Sequence, residues 1–412
     1  MHYLPQSNLS SLCSKTDSIQ PMGNPQFDLI IIGGGVMGSS TAYQAAKRGL
    51  KTLLLEQFDF LHQRGSSHGE SRTIRSTYPQ SHYYPLVVES YKLWEEIQAE
   101  VGYDVYFKAQ HLDIGHLDDP SFRAVIQNCR KHGVNHQVLT AEQVAGKFSG
   151  RFNLQEGWVG LSTEHGGMLK ATKATAMFQT LAHKHDVVLK DNAKVVDIKN
   201  NDGEVVVFTE NGEKFRGKKV VVTVGSWANK LIKKIRGIDL PIQPIETHLC
   251  YWRIKEGHED KFPIGGDFPT FASYGKIYYY GTPTLEFPGL LKLGVHGGRK
   301  CDPDQRPWGS GEMMNDLKKW IDRTFSGMID TTEPVVKQAC LYSMTPDEDF
   351  VIDFLGGEFE NNVVLGVGFS GHGFKMAPLV GKILTELAID GKTNHADLKH
   401  YRIGRFQRTS KI

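Results

Sequence analysis

No run in this 412-residue chain approaches the roughly 18 consecutive apolar residues that cross a bilayer, and apolar stretches such as residues 29–32 and 220–224 have the length of buried strands. Cysteine is scarce. The five are odd in number, scattered and without C-x-x-C spacing, which excludes a disulfide framework and a zinc site and suits a reducing compartment. Charge of one sign is lacking too: the formal net charge is +2, so neither a nucleic-acid nor an acidic partner is implied. No internal repeat or low-complexity run is visible. The first 26 residues hold one lysine, no arginine and no apolar stretch, which argues against a mitochondrial transit peptide and a secretion signal. They read as a disordered extension, with Met22 an alternative start and the fold beginning at Phe27.

What is present is an ordinary globular composition, 40% hydrophobic and 23% charged, in a chain too long for one small core. Two domains, interleaved in sequence, are expected. The strongest local signal comes first. An apolar strand over 27–32 runs into Gly33-Gly34-Gly35-Val36-Met37-Gly38, then into a helix carrying Ala42, Ala45 and Ala46, then a strand over 52–55 that ends in Glu56. Gly33 permits the tight turn, Gly35 lets backbone approach a pyrophosphate, and Gly38 lets the helix press on the strand. The helix N-terminus offers its dipole to the phosphates, and Glu56 stands where a carboxylate can accept from ribose hydroxyls. Strand, glycines, helix, strand and acid in register indicate an adenine dinucleotide.

Downstream, Val87, Tyr91, Trp94, Ile97 and Val101 recur at helical spacing over 83–101, with Gly102 as the stop; this stripe reads as core. Asp119-Pro120 starts another helix, Thr140 with Gln143 forms a capping box, and 170–185 is helical. Strands over 193–198, 204–209 and 215–224, separated by Asp202-Gly203 and Asn211-Gly212, form a meander that ends at the turn Gly225-Ser226-Trp227. From about 237 to 340, prolines (241, 244, 263, 269, 283, 288) and aromatic strands mark a mainly antiparallel unit. A buried strand over 363–368 then leads through Phe369-Ser370-Gly371-His372-Gly373-Phe374-Lys375 into a helix over 378–389. A second glycine turn favours a flavin over a nicotinamide, because a long FAD needs its ring end held as well as its pyrophosphate. The fold class is therefore α/β (α+β): a Rossmann-like FAD-binding domain (27–105, 159–236, 341–405) interleaved with a mainly antiparallel β-sheet substrate domain (106–158, 237–340).

Four ordered blocks carry a resemblance: Gly65-Ser66-Ser67-His68-Gly69-Glu70-Ser71-Arg72-Thr73-Ile74-Arg75, Lys292-Leu293-Gly294-Val295-His296, Ala339-Cys340-Leu341-Tyr342 and Gly368-Phe369-Ser370-Gly371-His372-Gly373-Phe374-Lys375. Together with the fingerprint, over residues 27 to 400, they are similar to the monomeric sarcosine oxidase family, which includes N-methyltryptophan oxidase and peroxisomal sarcosine/pipecolate oxidases. The resemblance implies FAD joined at its 8α carbon to Cys340, and oxidation of a secondary amino acid to an imine with oxygen reduced to peroxide. It implies that Arg75 and Lys375 hold the substrate carboxylate and that His68 and Arg72 belong to the block covering the flavin. Lys292 is implied near N5, where oxygen reacts, with Tyr280, Tyr342 and His296 lining the substrate side. Ser67, Gly371 and Gly373 fall to the cofactor. Side chains around the blocks depart from the pattern, among them Thr73 and Ser343-Met344, which leaves the substrate open rather than the chemistry.

Each role has its own physical case. A planar guanidinium suits a carboxylate, and a lysine at a helix start opposes the dipole unless an anion lies near. Lys292 stands among Leu290, Leu291 and Leu293, where an ammonium is costly without a task, and a charge there would stabilise superoxide. Lys292 and His296, four apart on a strand, share a face. Against these stand bland readings: a surface arginine, a snorkelling lysine, a core histidine, packing tyrosines, an ordinary buried thiol. The competing function is an FAD-dependent amino acid dehydrogenase with another electron acceptor, which Lys292 argues against; a non-catalytic flavin sensor is a further one. The partners expected are a small secondary amino acid and O2, with no nucleic acid, membrane or metal, in a monomer. The terminal Ser410-Lys411-Ile412 differs from S-K-L by one apolar change and points to the peroxisome, with the cytoplasm as alternative.

Overall fold

A computed structural model describes residues 26–201, 203–305 and 313–406. The expected disordered extension up to residue 25, Asp202 of the first hairpin and the tripeptide Ser410-Lys411-Ile412 lie outside them. Two sheets organise the chain. The first has eight strands. Its central strand Phe27–Ile32 pairs in parallel with Thr52–Leu55 on one side and Lys214–Val222 on the other, and these extend the sheet to Val188–Lys190 and Val363–Val367. Leu29, Ile30, Ile31 and all of residues 53–55 have no exposed surface, as a parallel strand covered on both faces requires.

The helix Val36–Lys47 leaves this sheet directly from the glycine turn. Gly33 has φ +104°, and a Cβ there would sit 2.6 Å from the Thr223 carbonyl, so both backbone and space demand glycine. Helices Tyr83–Val101, Ala171–Lys184 and Ala377–Asp390 share a core with that face, and Ala228–Arg236 packs on the other. Trp94, with no exposed surface, is core as its spacing implied; each such large apolar side chain stabilises the fold by about 1.5–3 kcal/mol. The two helix-start signals hold in detail. Asp119 accepts from Phe122 N at 2.8 Å, and Thr140 and Gln143 cap each other reciprocally.

The second sheet has ten strands. Its path runs Arg299–Lys300, Gln243–Arg253, Leu290–His296, Tyr278–Thr282, Thr270–Ser273, Tyr106–His116, Trp158–Leu169, Arg72–Arg75, with Val336–Met344 paired to Gln243–Arg253 and His136–Thr140 to Trp158–Leu169. Strands Arg72–Arg75 and Trp158–Leu169, and the end of Val336–Met344, thus enter this sheet from segments assigned in sequence to the nucleotide-binding unit. The sheet's outer face packs on Met314–Thr324 through an aromatic core that includes Phe152, Phe262, Phe268, Phe271 and Trp320.

The register places the chemistry on the other face. Directly paired residues share a face of a sheet. Arg75 pairs with Gly166, and Gly166 with Ala109; on that same strand Asp113 pairs with Ala272, and Ala272 with Tyr280. Tyr280 pairs with Gly294, which lies between Lys292 and His296, and Lys292 pairs with Tyr251. Thr247, two steps of two along that strand, pairs with Cys340, and Ile245 with Tyr342. Arg75, Asp113, Tyr280, Lys292, His296, Cys340 and Tyr342 therefore stand on one face, turned toward the first sheet.

Candidate active site

Between the two units lies a continuous cavity of about 630 Å³. It begins at Gly33–Met37 and Glu56, passes Ser66 and Ser67, reaches Arg72, Lys292 and Cys340, and ends among Arg75, Tyr78, Lys375, His296, Tyr342 and His372. A narrow groove leading from a glycine-rich helix N-terminus to a polar chamber fits a long dinucleotide with a ring at its far end.

At the first end Glu56 is only 5% exposed. Its Oε2 accepts from Gly34 N at 2.7 Å and its Oε1 from Phe58 N at 3.0 Å, so the carboxylate shapes the turn as well as facing the cavity. His62 Nε2 lies 3.3 Å from Oε1, and Oε2 retains a lone pair for a ribose hydroxyl. Ser67 Oγ accepts from Val36 N at 3.0 Å and so sits at the helix start, beside Gly35. Gly38 packs the helix against Gly33 and Thr223.

In the middle, Arg72 crosses from its strand to its own turn. It donates to the carbonyls of His68 (2.6 Å), Ser71 (2.9 Å) and Ser66 (3.1 Å), and its NH2 lies 3.9 Å from Cys340 Sγ. Cys340 is buried and lines the cavity. Lys292, 2% exposed, donates from Nζ to the Ser71 carbonyl. Burial, and then the Arg72 guanidinium, lower its pKa to about 7.

At the far end two basic side chains converge on one phenol. Arg75 donates to Tyr278 Oη at 2.8 Å and Thr77 Oγ1 at 3.3 Å, and its guanidinium lies 4.7 Å over the Tyr78 ring. Lys375 Nζ donates to Tyr78 Oη and to the His372 carbonyl, both at 2.9 Å. Trp94 Nε1 holds the Lys375 carbonyl at 2.8 Å. His296 lies 5.2 Å from Tyr342, ring to ring, and burial with the charges of Lys375 and Arg75 lowers it to about 4. Gly371 has φ +76°, and a Cβ there would lie 2.6 Å from the Tyr342 ring, so glycine lets this turn close against the chamber. Gly373 starts the next turn beside Phe369.

Of the residues picked out in sequence, Arg72, Arg75, Tyr280, Lys292, His296, Cys340, Tyr342, Gly371, Gly373 and Lys375 line this one cavity. His68 does not. Its side chain is buried outside the lining, and its carbonyl accepts from Arg72. Sequence reasoning missed Tyr78, Tyr278 and the fully buried pair His111–Asp113, in which Nε2 and Oδ1 are 3.2 Å apart and Oδ1 is 3.9 Å from Arg75 NH1. The one available signal for the last was two charged residues interrupting an apolar strand at Leu112 and Ile114.

Comparison with known proteins agrees with this geometry. Residues 28–387 match the FAD dependent oxidoreductase family. The chain is 58% identical over 388 residues to a probable sarcosine oxidase of Arabidopsis thaliana, covering 93% of each. It is 36% identical to the peroxisomal sarcosine oxidase of Homo sapiens (92% of this chain, 96% of the relative) and 33% identical to a monomeric sarcosine oxidase of Bacillus sp. (92% and 96%). Among solved structures, the amino acid oxidase NikD in its open form superposes with a TM-score of 0.79 at 23% identity (92% and 98%), and L-proline dehydrogenase of P. horikoshii with 0.79 at 24% (93% and 99%); these share the fold. The chain belongs to the FAD dependent oxidoreductase family and, within it, stands among the sarcosine oxidases.

Proposed function

We propose that the chain oxidises a secondary amino acid, sarcosine, L-pipecolate or a similar N-alkyl amino acid, to an imine that hydrolyses, with dioxygen reduced to hydrogen peroxide. The observation that carries this reading is the pair of buried basic side chains, Arg75 and Lys375, meeting at Tyr78 at the end of a cavity that starts at a dinucleotide turn. Gly33, Gly35, Gly38, Glu56 and Ser67 would hold the adenosine and pyrophosphate of FAD. Cys340 would hold the ring through a thioether, with Gly371 and Gly373 shaping the turn beside it. When bound, the flavin supplies the two-electron acceptor for the substrate C–N unit and passes those electrons to oxygen.

The protein side chains do the rest. Arg75 grips the carboxylate with a planar fork and Lys375 adds a point charge, fixing which C–H faces the cavity. Tyr278, Tyr280, Tyr342 and His296 wall the chamber and limit water. His296 stays neutral down to about pH 4, so it adds no further positive charge that would repel a substrate amine. Lys292, on the same face four residues away, supplies the positive charge where dioxygen gains electrons. Arg72 stands beside Cys340 and fixes the turn over it. Lys292 also favours oxygen over another electron acceptor.

The protein is proposed to act in the peroxisome, a reading supported by relatives from Homo sapiens and Mus musculus named as peroxisomal, and as a monomer, as the Bacillus relative is named. The test is peroxide release across sarcosine, L-pipecolate, N-methyltryptophan and N-methylalanine. Absence of peroxide with every one of them, from flavin-loaded protein, overturns the proposal.

A further inference from the structure

Lys375 has an unusual setting for a lysine. It is 7% exposed, and its Nζ is bonded to a phenol and a backbone carbonyl, two neutral acceptors. The groups facing it come from every element packed around it. The strand Arg72–Arg75 and the loop after it bring Arg75 and Tyr78; Tyr106–His116 brings His111, with Asp113 bonded to it; Leu290–His296 brings His296; its own turn brings His372. The carboxylate in that set, Asp113, is taken by His111 and Arg75. Asp349, on the neighbouring loop, accepts from Tyr83 and is bonded to His82, while Glu348 is exposed at the mouth. Among the described residues no carboxylate lies within 4 Å of Lys375 Nζ. Burial, and then the guanidinium of Arg75, hold Lys375 well below the ordinary lysine value.

We infer that Lys375 stands as a neutral amine in the substrate-free site and becomes an ammonium when a carboxylate binds between it and Arg75, taking the proton from the substrate's own ammonium. The step is balanced. An N–H bond of the zwitterion breaks, its electron pair stays on the substrate nitrogen, and the proton forms an N–H bond at Nζ. The zwitterion becomes an amino carboxylate, Lys375 becomes its counter-ion, and no electron is transferred. Burying the carboxylate against an uncharged amine would leave part of its charge unpaired, so binding and proton transfer support each other. The same event leaves the substrate nitrogen with the lone pair that loss of the adjacent C–H requires. The inference rests on the reading that Arg75 and Lys375 bind the substrate carboxylate.

Proton exchange on binding tests it without turnover. Holoenzyme is titrated with acetate, which has the carboxylate but no amine, by calorimetry in buffers of different ionisation enthalpy, from about pH 6 to about pH 9. Uptake should rise with pH and approach one proton per acetate bound. Glycine, which carries its own proton, should bind with almost no net exchange. In Lys375→Arg, whose guanidinium is always charged, acetate should bind with no uptake; Lys375→Met should likewise show none. Acetate bound without proton uptake across the range, or uptake that survives in Lys375→Arg, overturns the inference while leaving the carboxylate site intact. If acetate does not bind at all, the assignment of Arg75 and Lys375 fails, and this inference with it.

Discussion

Lys292 offers a prediction in which stability and function move in opposite directions. The amine is 2% exposed, and its pKa falls from 10.5 to about 7, first through burial and then through Arg72. At about 1.36 kcal/mol per decade, keeping it protonated in the folded state costs roughly 5 kcal/mol. Lys292→Met has nearly the same shape and no charge. It loses the bond to the Ser71 carbonyl, but that oxygen keeps Arg72 NH1 at 2.9 Å, so the loss is about 1 kcal/mol. The variant should therefore be more stable by about 4 kcal/mol below pH 7. The sign with pH follows from a lowered lysine. Below about 7 the amine is protonated in both folded and unfolded chains, and the whole penalty is present. Between about 7 and 10.5 only the unfolded chain holds the proton, so the native protein gains stability as pH rises and the variant's advantage closes. Urea unfolding of both proteins near the two ends of that window, at matched flavin content, reads the effect. A variant that is no more stable at the low end, or an advantage that does not change with pH, refutes the reasoning. The function should suffer. Below about pH 7, where the folded amine is charged, a unit charge about 4 Å from superoxide at an effective dielectric near 20 is worth about 4 kcal/mol, so aerobic reoxidation should slow on the order of a thousandfold there, and less as pH rises, while anaerobic reduction by substrate is spared.

Three further outcomes are expected. Arg75→Lys keeps a charge beside Asp113 but loses the fork, so kcat/KM should fall by roughly 10- to 100-fold, mostly through KM, from the loss of about 1.5–3 kcal/mol in one charge-assisted bond; steady-state kinetics with an unchanged melting temperature check this. Gly33→Ala forces an L residue to φ +104° and against the Thr223 carbonyl, costing at least about 1–2 kcal/mol, and flavin absorbance per polypeptide should drop sharply. Cys340→Ser should yield protein whose yellow colour stays in the supernatant after acid precipitation, whereas the native chain's colour pellets; colour that pellets with the variant would sink the thioether assignment.

What could be read from the sequence was what physics settles within a few residues. The positive φ at Gly33, the cap at Asp119 and the reciprocal cap of Thr140 and Gln143 depend on the residue itself or on a neighbour three positions away, and each stands as its residues require. The ordered blocks brought Arg75, Lys292, Cys340 and Lys375 into view because each sits in a recognisable string. Strand partnership was less legible. Trp158–Leu169 follows a helical segment and precedes another, yet it pairs with Tyr106–His116 and Arg72–Arg75, a choice made by matching buried faces far apart in sequence. His68 shows the same limit in one side chain. Adjacency to Arg72 in sequence says nothing of which way the ring turns; the ring is buried outside the cavity lining, and the His68 carbonyl holds Arg72.

The hardest property to read was charge state. Arg75 meets Tyr278 across 203 positions and Asp113 across a sheet, and Lys375 meets Tyr78 across 297. Whether Lys375 is an ammonium or an amine depends on where the carboxylates of the whole chamber are: Asp113 already shared by His111 and Arg75, Asp349 turned to His82 and Tyr83. In the string Gly373-Phe374-Lys375 the lysine reads as a fixed cation waiting for an anion. In the folded chamber the nearest cation has claimed the buried carboxylate, and the anion that completes the site has to arrive with the substrate. The same lysine is thus an anchor when read from its neighbours in sequence and a proton acceptor when read from its neighbours in space, and proton uptake on acetate binding separates the two.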